Sequence, residues 1–523
     1  MPRSTTAPEP AANATPADGT GSRAHPHAAN RLRASIVDLT FGIWALAIPT
    51  ALGARLLNTD GDAARHLRMG EFILGGGLFR PDDFSHTRPA EPFLQTEWLS
   101  QVSYALANRI GGLPGVAVLA GLIIAATYAL VVLFLRRRGA DPMLAYVTGI
   151  AAAIVGGAHW LARPHLFTLL GLALLLFLLE PAGKRRLWPF AALFAVWANF
   201  HPGYILGIVA LCVVAAGEWV ESIISHAMSE AQEWRARARW HAAGAGLGLL
   251  AGFLNPQGPR FLLRIVNHLG DNFLIGVTNE FMSPNFHGLF GRVFLVMLLV
   301  VVAALALHRE RPAMPRLVIA LLLLAAALHS QRNIPIFGVV ALPLLALHFD
   351  GAWRGLGGRV LTHVRGVFAQ GEASAVPGRW IAPFAAIALL LALARGTVAG
   401  VTVVPAAFDP DVFPIEIVEK ARAANLEGRI FNEFIWGGYL LIAWPEQKIF
   451  IDGMTDFFGP ELSKDYLDAI WLEPGWKDTL DRYDITLVLI PAQSRLAAAL
   501  REEAGWSVWA EDSVAILLQR DGR

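Results

Sequence analysis

Long apolar runs separated by short polar connections dominate this chain. The first extends from about Ile36 to Leu57, and others follow near 114–135, 143–161, 165–180, 187–200, 203–219, 241–254, 292–307, 316–329, 334–348 and 380–403. Each approaches the roughly twenty residues that cross the hydrocarbon core of a bilayer, the shorter ones implying tilt or re-entrance. The pattern therefore predicts a polytopic α-helical membrane protein of about eleven transmembrane helices. Beyond residue 405 the pattern changes. IFNEF, KIFIDG, ITLVLIP and VAILLQ read as short strands, while PELSKDYLDAIW and SRLAAALREEAG have helical spacing. Residues 405–523 are thus expected to form a small C-terminal α/β domain, behind a transmembrane unit over 34–404 whose first loop covers 58–113. Residues 1–33, rich in Ala, Pro, Thr and Ser, read as a disordered tail. The first apolar run has no small-residue cleavage site behind it and reads as an uncleaved anchor.

Charge changes the picture by position rather than by amount. The net charge is +1 and only 16% of residues are charged, so nothing points to nucleic acid. Arg136-Arg137-Arg138 follow the second span, Lys184-Arg185-Arg186 the fourth, Arg235, Arg237 and Arg239 the sixth, Arg309 and Arg311 the eighth, and Arg354, Arg359 and Arg365 the tenth. With a cytoplasmic N-terminus, every even-numbered connection is basic, as the positive-inside rule requires. The odd-numbered connections carry Asp, His, Asn and single Arg residues instead. They and the α/β domain are expected at the periplasmic face of a bacterial inner membrane. The single cysteine, Cys212, excludes an intramolecular disulfide and reads as a buried small apolar residue.

The most polar connection is the first, NTDGDAARHLRMGEFILGGGLFRPDDFSHTRPAEPFLQTEW, from Asn58 to Trp98. Asp60 and Asp62 stand at the exit of the first span with His66 one helical turn on. Both carboxylates can face one cavity only if the backbone is irregular between them, which Gly61 permits. A carboxylate at the membrane boundary can take the proton of an attacking hydroxyl or bind a divalent cation; it can also simply cap a helix. Arg163 and His165, held between two apolar spans, are costly unless they meet an anion or a water-filled cavity, and Arg332 and His201 sit in similar turns. Further on, Trp436-Gly437-Gly438-Tyr439 and Asp452-Gly453-Met454-Thr455-Asp456 suit either a recognition surface or tight turns.

An acidic D-x-D-type motif closing the first helix, a long first outer loop, about eleven spans and a soluble C-terminal domain together resemble the GT-C superfamily, membrane glycosyltransferases that use polyprenyl-phosphate-linked sugars. The first loop is similar to a bacterial GT-C-like group of unassigned substrate, with D-x-x-x-H-x-x-x-G at Asp62, His66 and Gly70, P-x-D-x-F-S-x-T at Pro81, Asp83, Phe84, Ser85 and Thr87, and E-W-L at Glu97, Trp98 and Leu99. FNEFIWGGYL and FIDGMTDFFG look like the tail of the same group. The layout also faintly resembles the oligosaccharyltransferase catalytic subunit, whose W-W-D-Y-G motif reads the acceptor peptide. Here Ile435-Trp436-Gly437-Gly438-Tyr439 lacks the aspartate, and sequon recognition is not carried over.

The resemblance implies an inverting transfer with Asp60 or Asp62 as catalytic base. It implies donor-phosphate binding by Arg163, His165 and Arg332, and substrate binding by His66, Asp83, Glu97, His201, Trp436, Tyr439 and Asp452. No cofactor is required, although a divalent Mg or Mn is compatible. The partners implied are a polyprenyl-phosphate sugar, membrane lipid and a glycan, lipid or protein acceptor. A transporter or flippase of a lipid-linked or amphipathic substrate would place its charges at the membrane midplane, and a non-catalytic scaffold would not need His, Asp and Arg in five separate outer turns.

Overall fold

The computed structural model describes residues 34–81, 83–88, 96–181, 183–263, 279–375 and 381–522. Helix α1, Ile36–Asn58, opens on a capping box in which Ser35 and Asp38 satisfy each other's backbone N–H. Asp38, a charge at the head of an apolar span, is thereby accounted for. Helix α2, Asp62–Phe72, carries the polar part of the first loop. Helix α3, Trp98–Arg137, is two helical segments joined across a kink at Gly112, where the backbone leaves helical geometry with φ 63° just ahead of Pro114. Most of residues 98–113, assigned to the first loop by the sequence pattern, is therefore helical, ahead of the kink that starts the apolar run.

Among the described residues, six helices are long and apolar enough to cross a membrane: Ile36–Asn58, Trp98–Arg137, Pro142–His159, Tyr204–Ile224, Leu289–Leu307 and Gln331–Gly355. His165–Leu179, Trp188–Phe200 and Met314–His329 are apolar but only 15, 13 and 16 residues long. Met228–Gly252 is a single 25-residue helix whose arginine-bearing first half dilutes its hydropathy. The last expected span, 380–403, contains only the helix Ile381–Leu393, followed by a two-residue-per-strand hairpin. Length and composition in the structure thus support six spans by themselves, against the eleven or so that the apolar runs predict. Cys212 is exposed on the helix Tyr204–Ile224 rather than buried, because it lies on the bundle's outer surface.

The bundle has two chemically distinct ends. At one, the basic connections converge on buried acids: Glu180 pairs with Arg138 at 3.5 Å, Arg237 at 3.5 Å and Arg316 at 2.9 Å, and Glu218 with Arg237 at 2.7 Å and His241 at 2.6 Å. The other end receives the odd-numbered connections and the C-terminal α/β region.

That region is built on a four-stranded sheet in the order Ile430–Asn432, Leu487–Pro491, Ala515–Arg520, Trp506–Glu511. The first pair is parallel and the rest antiparallel, with Ile430 opposite Leu487 and Leu489 opposite Leu517. Leu487, Val488, Leu489 and Ile490 are fully buried, which explains why that strand reads as an unbroken apolar run. The edge strand Trp506–Glu511 alternates poorly and is largely exposed, so periodicity does not reveal it. KIFIDG is not a sheet strand. Its Ile449, Phe450 and Ile451 are fully buried in an extended connection that bridges Ser85 of the first loop.

Candidate active site

The exit of α1 is fastened before the chemistry begins. Asn58 donates from Nδ2 to Ala407 O at 2.8 Å and accepts from Asp409 N at 3.0 Å, tying the helix end to the chain entering the α/β region. The backbone then turns through Gly61, whose φ of −80° is ordinary for any residue. Glycine is required there by space: a Cβ would lie 1.8 Å from Ile435 O. The pairing of Asp60 and Asp62 therefore comes from a tight approach of the α/β region and not from an unusual backbone. The same approach places Gly453 so that a Cβ would meet Asp62 Oδ1 at 1.8 Å.

Opposite these acids, Arg163 projects from the turn ahead of the helix His165–Leu179. Its backbone is pinned on both sides, Ala162 N donating to Leu56 O at 2.8 Å and Tyr104 Oη donating to Arg163 O at 3.1 Å. Its guanidinium gathers three carboxylates: Nη1 lies 3.0 Å from Asp60 Oδ2 and 2.7 Å from Glu280 Oε1, and Nη2 lies 2.5 Å from Asp62 Oδ2. Glu280 sits in a short turn, Asn279–Phe281, held by Ser330 Oγ donating to Glu280 O at 3.0 Å. Arg332 Nη1 is 3.7 Å from Glu280 Oε2, and its guanidinium lies over the Phe281 ring, 5.3 Å from the centroid. Burial pushes the Asp62 carboxyl up to about 6, with Asp60, Asp452 and Glu280 adding to the effect and Arg163 opposing it. Glu280 goes the other way: burial would raise it, but Arg163 and Arg332 hold it down at about 2.

A second group adjoins the first. Glu97, at the start of α3, lies 3.3 Å from His201 Nε2 and 3.8 Å from His66 Nδ1. The Gly203 N–H donates to His201 Nδ1 at 3.0 Å, so the ring proton resides on Nε2 and points to Glu97. Burial, then the positive charges of Arg163 and Arg65, keep His66 neutral well below its usual range. His165 donates from Nε2 to His159 O at 2.7 Å. Among the residues singled out by sequence, Asp60, Asp62, His66, Glu97, Arg163, His165, His201 and Arg332 thus come together at one end of the bundle.

Four others lie elsewhere or act at one remove. Asp452, fully buried, pairs with the equally buried Arg65 of α2. Asp83 pairs with Lys448 at 2.7 Å on the surface. Trp436 is 2% exposed and donates from its indole to Val412 O, and Tyr439 packs against the rings of Phe408 and Phe413. These two aromatics fill the core of the α/β region. The glycines between them make the close contact, Gly438 against Gly61 O. Glu280 belongs to the cluster, yet it is not among the site residues expected from the sequence; its only signal was an acid within the long odd-numbered connection from Asn255 to His287. A surface cleft of about 450 Å³, lined by Thr87, Arg88, Lys464, Arg482 and Tyr483, holds none of these residues.

The cluster can take up a proton at Asp62 and offer positive charge at Arg332, two groups held on opposite sides of Glu280 and Arg163. Among the described residues no group of three or more His, Cys, Asp or Glu side chains has the arrangement of a metal site.

No protein-family model matches the chain, and no curated protein matches it. Solved structures do. The apo oligosaccharyltransferase of Archaeoglobus fulgidus superposes with a TM-score of 0.50 at 12% identity, over 87% of this chain and 69% of that one. Arabinofuranosyltransferase AftD from Mycobacteria superposes with a TM-score of 0.50 at 13% identity, over 92% of this chain and 40% of that one. At such identities the likeness is one of fold.

Proposed function

We propose, starting from a chain that has the GT-C fold, that it transfers a sugar from a polyprenyl-phosphate donor to an acceptor hydroxyl or amide at one face of a membrane, with inversion at the anomeric carbon. The observation that carries this reading is the meeting of Asp62 and Asp60 with Arg163, Glu280 and Arg332 where the bundle faces the α/β region. The two structural neighbours are named as an oligosaccharyltransferase and an arabinofuranosyltransferase, which supports glycosyl transfer as the general class.

In this mechanism the acceptor oxygen attacks the anomeric carbon as the bond from that carbon to the phosphate oxygen breaks. The acceptor's proton passes to Asp62, whose raised pKa makes it a stronger base than an ordinary carboxylate. The electron pair leaves with the lipid phosphate, whose charge Arg332 meets, with His165 beside it. Glu97 and His201 orient the sugar or acceptor hydroxyls through their fixed hydrogen-bonding roles. Phosphate is already a competent leaving group, so no strong acid is needed.

The proposed setting is a bacterial inner membrane, the basic end of the bundle cytoplasmic together with residues 1–33, and the α/β unit at 405–523 periplasmic above the membrane unit at 34–404. The arginines gathered around Glu180 support that orientation.

The test is turnover of radiolabelled polyprenyl-phosphate sugars by the purified protein in lipid, beside Asp60→Asn and Asp62→Asn. Release of lipid phosphate by the wild type and its loss in Asp62→Asn is the expected result. A wild type that consumes no donor across a panel of sugars, yet moves a labelled lipid between leaflets, would replace this reading with transport.

A further inference from the structure

Divalent-metal dependence is frequent among GT-C enzymes, and acidic residues at the end of the first helix are the natural place to look for it. The carboxylates of this chain do not fit that role. A magnesium ion takes oxygens at about 2.0–2.1 Å in an octahedron, and manganese is similar, so ligating oxygens must converge on one point. Here they are spread around a guanidinium. Asp60 Oδ2 and Glu280 Oε1 lie 3.0 and 2.7 Å from Nη1, whereas Asp62 Oδ2 lies 2.5 Å from Nη2. The oxygens surround a planar group several atoms wide: those of Asp60 and Glu280 accept hydrogen bonds from Nη1, and that of Asp62 is ion-paired with Nη2.

Nor is Arg163 placed to withdraw. The hydrogen bonds Ala162 N to Leu56 O and Tyr104 Oη to Arg163 O hold its backbone against α1 and α3, and its side chain is 18% exposed. A guanidinium stays charged at every physiological pH. A divalent ion entering this cluster would face that charge at contact distance and compete for the same three oxygens.

We infer that Arg163 is the built-in cation of the site: it neutralises Asp60, Asp62 and Glu280 from within the chain, and the cluster takes no divalent metal. The three acids come from two distant segments, 60–62 and 280, so Arg163 also ties those segments to the helix that begins at His165. With its Nη1 and Nη2 engaged by carboxylates, Arg163 is the organiser of the acids, and the phosphate falls to Arg332, whose contact with Glu280 is longer at 3.7 Å. The inference rests on reading the cluster as the reacting centre, but its test does not depend on turnover.

The experiment is a Mn²⁺ titration of the full chain in lipid nanodiscs, followed by electron paramagnetic resonance, on the wild type, on Asp60→Asn/Asp62→Asn and on Arg163→Met. The expected result is that the wild type binds no Mn²⁺ that the double Asn variant fails to bind, and that Arg163→Met, which bares the three acids, binds Mn²⁺ at least about tenfold more tightly than the wild type. A wild-type Mn²⁺ site abolished by the double variant overturns the inference, as does a folded Arg163→Met that binds no better than wild type. Should Arg163→Met fail to elute as a folded species, the comparison of wild type with the double variant decides alone. A protein with no active donor in the turnover assay but with this Mn²⁺ pattern would sink the proposed reaction and leave the internal cation standing.

Discussion

At the scale of single residues, the behaviour of Asp62 is the most exposed to test. In the proposed reaction it must be ionised to accept a proton, and its pKa stands at about 6 because burial and the neighbouring acids outweigh Arg163. Below that pH the protonated fraction grows, so kcat/KM should fall about tenfold per pH unit there and level off above it. A pH–rate profile checks this. Asp62→Asn should lower the rate by about 10²–10⁴-fold and remove the acidic limb; a limb that persists in the variant assigns it to another group. Gly453→Ala probes the same carboxylate without replacing it. The added methyl would lie 1.8 Å from Asp62 Oδ1, so the carboxylate must move off its contact with Arg163. A shift of about an ångström at a reacting group costs on the order of 10²-fold, and kcat should drop accordingly in the same turnover assay. The acids and Arg163 were legible in sequence because a charge flanked by apolar spans has few places to go. Glu280 was not, since an acid in a polar stretch carries no such tension. Trp436 and Tyr439 stood out by the aromatic-Gly-Gly-aromatic motif they form, and they fill a core.

At the scale of elements, α2 is the keystone between the bundle and the α/β region. It packs against α3, where Gly70 approaches Gln101 O so closely that a Cβ would be 2.2 Å away, and on its other side it meets Gly438. The contact is locked by Arg65 and Asp452, 1% and 0% exposed. Asp452→Ala would strip a buried guanidinium of its carboxylate, and removing one partner of a buried pair costs about 3–5 kcal/mol. A marked fall in the thermal midpoint by tryptophan fluorescence is the expected result. Lys448→Ala, which breaks the exposed pair with Asp83, should change it by less than about 1 kcal/mol. Equal effects of the two variants would mean that α2 is not the anchor. Sequence showed both partners' motifs but not that they meet, because the 387 positions between Arg65 and Asp452 leave the pairing to the tertiary fold. It likewise placed the helices Thr455–Trp471 and Arg495–Glu502, whose amphipathic spacing survives in the structure, and missed Ile415–Ala423 and Trp476–Arg482, which are 9 and 7 residues long and too short to show a period.

At the scale of the whole molecule, the bundle keeps its two polar networks at opposite ends, and the apolar helices between them span about 30 Å where they reach twenty residues. If the network around Arg163 carries the proposed reaction and the one around Glu180 serves the fold, the two are separable by mutation. Glu180→Gln leaves Arg138, Arg237 and Arg316 converging on a neutral amide, and Glu180 is only 7% exposed. Its thermal midpoint should fall for the same electrostatic reason that holds for Asp452→Ala. Its kcat/KM for the donor should stay within about twofold of wild type, since sites more than 7–10 Å apart with no shared partner act independently. The double variant Glu180→Gln/Asp452→Ala then has a definite expectation, a loss of stability equal to the sum of the single losses within about 0.5 kcal/mol. A coupling larger than that would mean that the helices carry strain from one end to the other, so that events at the basic end bias how the α/β region sits on α2. In that case donor turnover in Glu180→Gln should change as well, and the same two variants measured in the turnover assay would reveal it.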